Sequence, residues 1–551
     1  MRLCSHIQRF LYNMAYKWTH KLILSLSISS FFPPNFLTMK MVILILFAAL
    51  LVMIIWVWRM VNWVWIRPRK LEVCFRKQGL KGHSYTTLYG DTKEMAELTK
   101  QAKLKPMRLN DDILPRVLPF HHYTLNKYGN NCFAWIGPEP RIFIMEPELI
   151  TEIVTNNNIF KKPKPAPLVK LLVSGIASYE DQKWAKHRKI LNTAFYTEKL
   201  KCMVPAMHKS CEDMINKWEI LLCNKNKSCE LDVHPYFEDL TSDVISRTAF
   251  GSSYEEGMRI FHLQKELAEL TRQAFQSVYI PGWRFLPTKR NRRMKAIDNE
   301  LKDILRKLVS KRETSMNLGE AQDDLLGILL KSNVKEIQEN GSKCGMTTDE
   351  VIEECKVFYF SGQESSSNLL VWTMVLLSVH QNWQIRAREE VQQVFQNNKP
   401  DFEGLNRLKI VTMILNEVLR LYPPAPYIVR KANQETKLGK LIIPPEVTLA
   451  IPTIFVHHNQ ELWGDDVKEF KPERFSQGIA NATKNRLCYL PFSWGPRNCI
   501  GNNFAMMETK IALAMMLQRF AFELSPSYTH APTYVVTVQP QCGAHLVLTK
   551  L

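Results

Sequence analysis

The apolar positions of this chain fall into two kinds of run, and the change comes near residue 421. Before it, long stretches carry helical character with few breakers. Thr347 to His380 is mostly apolar and long enough for a helix through a whole domain. Ile410 to Leu421 reads as a shorter helix, ended by Pro423 and Pro424. Phe504 to Phe520 reads as another apolar helix. Short β-like runs follow between Tyr427 and Phe455 and from Tyr534 to Leu548. The pattern predicts a mainly α fold with small β-sheets, and neither an internal repeat nor a low-complexity tract interrupts it.

The N-terminal pattern is of another kind. Met41 to Trp58 is an unbroken run of 18 apolar residues, enough to cross a bilayer, with Trp56, Trp58, Trp63 and Trp65 as interfacial anchors. No small-residue cleavage site follows, which disfavours a cleaved signal peptide. Arg59, Arg67, Arg69, Lys70, Arg76 and Lys77 come next and assign the following domain to the cytosol, although five basic residues in 1–40 work against that rule. The expected organisation is a non-native or poorly ordered extension over 1–40, with Met39 or Met41 as the natural start. A transmembrane anchor over 41–66, a linker over 67–90 and a catalytic domain over 91–551 follow.

Composition narrows the chemistry. The formal net charge of +19 raises the possibility of nucleic acid. The basic run Lys289 to Lys295 has no aromatic residues interleaved and reads as a solvated helix face rather than a strand binder. Twelve cysteines without a C-x-x-C pair point to a reducing compartment, not to a disulfide framework or a zinc site.

One cysteine stands apart. Phe492-Ser-Trp-Gly-Pro-Arg-Asn-Cys499-Ile-Gly501 sets Cys499 in a glycine-bounded loop that runs into an apolar helix, whose N-terminal amides favour a thiolate. Such a thiolate can serve as a nucleophile, a structural metal ligand or a haem ligand. Upstream, Glu417 and Arg420 are three apart on one helical face, ordinarily a weak surface pair, and Pro472-Glu-Arg474-Phe475 follows. Trp184 and Arg188 share a helical face, and His187 between them reads as a surface histidine. In the middle of the long apolar helix stands Ser361-Gly-Gln-Glu364-Ser365. Polar residues there mean either back-bonds to the helix or a functional site.

The spacing Phe-x-x-Gly-x-Arg-x-Cys-x-Gly resembles the haem-thiolate loop of the cytochromes P450. Glu417/Arg420, Arg474, Trp184/Arg188 and the Gly362-x-Glu364-Ser365 segment stand in the order that family shows. Leu286 to Lys295, Gln518 to Pro532 and Pro540 to Ala544 look like its plant branch containing secologanin synthase, the 72 clan. The resemblance runs from roughly residue 55 onward. It implies haem b with Cys499 as axial thiolate within the loop of Phe492 and Gly501. Arg497, Trp184, Arg188 and Arg430 would face the propionates, and Glu417, Arg420 and Arg474 would form a buried triad. Glu364 and Ser365 would deliver protons, and Gly362 would let the helix approach the haem and open locally. Ser361 and Ser365 depart from the usual small apolar residue and threonine, so some leakage to peroxide is expected. Phe358, Phe360, Ala425 to Ile428 and Val538 are the implied substrate-pocket positions.

The same resemblance implies a reticulum-anchored monooxygenase of a hydrophobic, terpenoid-like molecule. Its electrons would come from NADPH through cytochrome P450 reductase, because the chain has no G-x-G-x-x-G site of its own. The surplus positive charge suits an acidic donor, and Tyr279 to Pro287 would dip into the membrane surface. Two alternatives stand beside this: a haem-dependent isomerase or dehydratase, against which Glu364 counts, and a catalytically silent haem-binding membrane protein. The sequons at Asn226, Asn340 and Asn481 must stay bare in a cytosolic domain.

Overall fold

A computed structural model describes residues 34–223, 228–252, 254–275, 282–319, 324–341, 344–483 and 485–551. The chain divides into two units between Arg67 and Pro68. In the first, helix Pro34–Val61 spans 28 residues and a π-helical turn, Asn62–Ile66, follows. Met41 to Arg59 are all exposed, an apolar surface with none of the described residues packed over it. The helix is long and apolar enough to cross a membrane. Residues 1–33 of the expected extension lie outside the described residues, as do Asn226 and Ser342 of two sequons and 279–281 of the expected membrane loop.

The second unit is mostly helical with small sheets, as the patterning predicts. Its largest sheet has five strands in the order Phe133–Ile136, Glu139–Phe143, Thr448–Ile451, Ile428–Ala432 and Phe160–Lys161. Glu139–Phe143 runs parallel to Thr448–Ile451, with Ile142 opposite Leu449, so the first and second halves of the unit are joined here. The sheet places Arg430 beside Leu449 and sets Lys161 opposite Lys431. A three-stranded sheet of Ser228–Asp232, His545–Lys550 and Phe520–Leu524 continues from the cysteine-following helix Asn502–Arg519. The strands before residue 421 are short and escape the sequence pattern.

The stretch 67–90 is not a free linker. Helix Arg67–Lys77 buries Leu71 and Phe75, and Gly82 bridges to Phe133 at the sheet edge. Two apolar anchors and a backbone bridge along a basic segment dock it.

The long helix runs from Thr348 to Val379, and Thr347 and Glu350 form a capping box: each side chain bonds the other's backbone N–H. Residues 366–378 are buried throughout. Helix Val233–Phe250 crosses against it. A Cβ at Gly362 would lie 2.7 Å from Ile245 Cδ1, so the glycine admits this neighbouring helix. The expected local opening at Gly362 is not seen. The helix is unbroken, and Thr241 Oγ1 from the crossing helix donates to the Gln363 carbonyl at 3.1 Å.

Candidate active site

The cysteine loop is fastened before it turns. Tyr489 Oη donates to the Asn416 carbonyl at 3.0 Å, and the Leu490 amide donates to His457 Nε2 at 2.9 Å. The loop closes where the Cys499 amide donates to the Phe492 carbonyl at 2.9 Å. Gly495 has φ +72°, and a Cβ there would meet the Val154 carbonyl at 2.6 Å, so both conformation and space demand glycine. Gly501 differs from expectation: its φ is −90°, and a Cβ would find only Phe195, at 3.9 Å. The polypeptide alone does not require glycine at that position.

Cys499 keeps accessible surface although protein encloses it almost completely, so its thiol opens onto interior space. Burial pushes this thiol up, against the Gly501 amide and the charges of Arg188 and Lys162, which pull it down. The expected preference for thiolate is therefore reversed in the protein by itself. A bound metal cation would be needed to hold the sulfur deprotonated.

Four cations stand around this space. Arg188 donates to the Asn498 carbonyl at 2.9 Å and to its side-chain oxygen at 2.8 Å, gripping the residue before the cysteine. Arg497 donates to the Tyr179 carbonyl at 2.8 Å, pairs with Glu180 at 2.5 Å and stacks 4.0 Å above the Trp184 ring. Arg430 is buried and, among the described residues, donates to the adjacent Val429 carbonyl alone; burial and Arg497 lower its pKa to about 10. Lys162 donates to the Ala177 carbonyl at 2.9 Å, and burial, Arg430 and Arg497 lower its pKa to about 7. Against these four, Glu180 is the one carboxylate paired among the described residues, since Asp181 bonds Lys161 instead. A cluster this short of counter-charge is built for an added dianion, which the two propionates of a haem would supply. The residues fit the group.

The upstream charges form a buried network. Glu417 and Arg420 are fully buried and bidentate, at 2.8 and 2.7 Å. Arg420 also donates to the carbonyls of His457, Val467 and Glu469. Arg474 lies 3.5 Å from Glu417 but bonds Asp466 more closely, at 2.7 Å. The three expected residues thus meet, with Asp466 as an unanticipated fourth.

On the long helix, Ser361, Glu364 and Ser365 retain accessible surface between buried stretches. Ser365 Oγ donates to the Ser361 carbonyl at 2.8 Å, and Glu364 accepts from Thr537 Oγ1 at 2.7 Å. Burial holds the Glu364 carboxyl above its usual range, the Thr537 bond opposing it. A cavity of about 590 Å³ is lined by Lys162, Arg430 and Arg497 together with Leu172, Tyr427, Ile428, Val429 and Tyr534 to Val536. Of the expected substrate positions, Tyr427 and Ile428 line it. Phe358 is buried against Phe195 and Val538 is fully buried, held by Trp372, so both are core. Phe360 and Ala425 keep accessible surface but do not line this cavity.

His187, expected at the surface, is fully buried, with Nδ1 2.6 Å from Glu354 Oε1. It ties helix Asp181–Asn192 to the long helix. Sequence reasoning also missed Lys162, Glu180 and Thr537, each brought to the site by a contact distant in sequence.

The comparisons with known proteins agree with this geometry. The family model described as "Cytochrome P450" matches residues 117–541. The chain is 59% identical to cytochrome P450 72A397 of Kalopanax septemlobus over 90% of its length and 96% of that protein's. It is 57% identical to cytochrome P450 CYP72A219 of Panax ginseng over 92% and 98%. It is 51% identical to secologanin synthase 1 of Catharanthus roseus over 90% and 95%. An enclosed thiol, a cation cluster short of anions and matches of this extent lead to one conclusion: the chain belongs to the cytochrome P450 family, in its plant 72 branch.

Proposed function

We propose that this P450 monooxygenase is anchored by its apolar N-terminal helix in the endoplasmic reticulum with its catalytic unit in the cytosol. It inserts one oxygen atom of dioxygen into a hydrophobic, terpenoid-type molecule, drawing electrons from NADPH through cytochrome P450 reductase. The observation that carries the chemistry is the Cys499 thiol, enclosed yet accessible, beside four cations that face one paired carboxylate.

Cys499 Sγ is the residue that would ligate haem iron, with Lys162, Arg188, Arg430 and Arg497 toward the propionates. Bound there, haem supplies dioxygen activation and oxygen insertion, assisted by electron density from the thiolate. The polypeptide supplies position, dryness and protons. Tyr427, Ile428, Val429 and the Tyr534 to Val536 turn wall the cavity, orient the substrate and exclude water. Burial raises the Glu364 carboxyl and favours its protonated form, and Ser365 can pass that proton once its hydroxyl leaves the Ser361 carbonyl. The net charge of +19 speeds encounter with an acidic electron donor rather than tightening it. Secologanin synthase, by its name, makes a terpenoid, and that relative supports the substrate class.

The substrate class is tested by titrating the holoprotein with a panel of terpenoids and watching the haem spin state. At least one is expected to displace the resting spectrum and then yield an NADPH-dependent product carrying one atom from labelled dioxygen. Consumption of NADPH with no organic product across the panel would favour the catalytically silent alternative. Sugar on the exposed Asn481 would overturn the cytosolic orientation.

Lys162 gives a pH prediction. With its pKa lowered to about 7, it is largely neutral above that pH in the haem-free protein. A bound dianion restores the charge, so haem binding takes up a proton at Lys162 above about pH 7, and this contribution to affinity falls as pH rises, offsetting the proton that Cys499 releases on ligation. In Lys162→Met this offset is expected to disappear, so affinity climbs more steeply with pH above about 7 than in the wild type and is weaker at low pH. Haem titrations between pH 6 and 9 (roughly the window set by the two pKa values) check it; an unchanged slope contradicts the role.

A further inference from the structure

Glu364, Asn368 and Trp372, spaced by four on the long helix, all reach the C-terminal hairpin of strands Pro532–Tyr534 and Val538–Pro540. Thr537 Oγ1 donates to Glu364 Oε1 at 2.7 Å. Asn368 Nδ2 donates to Thr537 Oγ1 at 3.0 Å and to the Glu364 carbonyl at 2.8 Å. Trp372 Nε1 donates to the Val538 carbonyl at 2.9 Å. Asn368, Trp372 and Thr537 are buried. The next residues back along the turn, Val535 and Val536, line the cavity.

The direction of these bonds is settled by donor chemistry. The Asn368 amide occupies the acceptor side of the Thr537 hydroxyl, so the single hydroxyl proton points at Glu364. One carboxyl oxygen is thereby committed, and the other, Oε2, is the oxygen left to exchange a proton. Three bonds along one helical face hold the hairpin against shear, so the carboxyl position and the cavity wall move together.

We propose that Thr537 is a positioning residue for proton delivery, fixing the Glu364 carboxyl and tying it to the hairpin turn that walls the substrate cavity. This rests on the reading of Glu364 as the proton-delivering acid. Removing the hydroxyl leaves the carboxyl free to rotate away. It also removes a bond that favours the carboxylate, so the carboxyl pKa rises further. The charged groups facing Glu364 from the other helices are Glu238, which raises it, and Lys265, which lowers it. Those two are bonded to each other at 2.9 and 3.0 Å, with His234 Nε2 3.9 Å from Glu238, and Thr537→Val leaves them in place.

The test needs no knowledge of the substrate. In membranes with cytochrome P450 reductase and no added substrate, NADPH oxidation has two outcomes. Dioxygen takes one NADPH and a proton to give hydrogen peroxide, or two NADPH and two protons to give two waters. Only the second requires protons delivered for O–O cleavage. Thr537→Val is expected to lower the ratio of water to peroxide roughly tenfold, below the range of about 10²–10⁴-fold for positioned proton transfer. Thr537→Ser should restore it, and the pH dependence of the ratio should move upward in Thr537→Val only. A merely structural role would leave that pH dependence in place. Glu364→Gln should give the same shift, with no further effect when combined with Thr537→Val. The carbon monoxide spectrum normalises every variant to folded holoprotein. If Glu364→Gln leaves the ratio unchanged, the reading of Glu364 as the acid fails. If Glu364→Gln changes it while Thr537→Val matches the wild type, the positioning role of Thr537 is overturned.

Discussion

Arg420→Ala is expected to give protein that retains no haem. The guanidinium is fully buried, bidentate to Glu417 and donated to three backbone carbonyls on the chain between His457 and Glu469. Its removal strands Glu417 inside the protein. The remaining partners are the Lys471 amide at 3.0 Å and Arg474 at 3.5 Å, itself committed to Asp466. Breaking a buried pair from one side costs about 3–5 kcal/mol, against a total stability of about 5–15 kcal/mol for a typical fold. The carbonyls released by Arg420 belong to the segment around His457, which also receives the Leu490 amide two residues before Phe492. Damage there propagates directly into the cysteine loop. Arg420→Lys should rescue little, because a single ammonium cannot reproduce a fork that meets both oxygens of Glu417 and three carbonyls. The ratio of haem to protein in purified membranes and the thermal unfolding midpoint measure the effect. Full haem content in Arg420→Ala would contradict the structural role of the network.

Much of this was legible because the decisive signals are local. The capping box at Thr347 and Glu350, the prolines after Leu421 and the alternation of short strands beyond residue 427 are written within a few residues of each element. The bidentate pair of Glu417 and Arg420 follows from one helical spacing. What spacing cannot carry is the far side of each contact. Lys161 and Lys162 are adjacent in sequence, yet one pairs with Asp181 at the surface and the other is enclosed among cations. His187 shares a helix with Trp184 and Arg188, but its ring meets Glu354, 167 residues on. The family resemblance implies a substrate-cavity position for Phe358, whereas its ring packs against Phe195 from another helix. Gly362 reads as an opening toward the haem, whereas Ile245 fills the space above it. Alternation at the end of a strand separates the two lysines and helix phase decides the other three, and phase relative to a partner is a tertiary quantity.

Cys499→Ala carries the other large effect. Arg188 and the Phe492 carbonyl hold the loop through backbone and Asn498 contacts that do not involve the sulfur, so the fold should survive the substitution. Haem that enters the cation cluster then lacks its thiolate, and turnover with reductase and NADPH should fall to the background of the haem-free membrane. Burial keeps the free thiol protonated, so the sulfur gains its charge only with a metal partner. Retention of the fold with loss of ligation is what separates this variant from Arg420→Ala.

The most direct measurement is the carbon monoxide difference spectrum of the reduced protein in membranes, wild type beside Cys499→Ala. The account predicts the red-shifted Soret band of thiolate-ligated haem in the wild type and its absence in the variant. A wild-type protein that is folded and loaded with haem yet lacks the band, or a variant that keeps it, would contradict Cys499 as the axial ligand and the monooxygenase mechanism built on it.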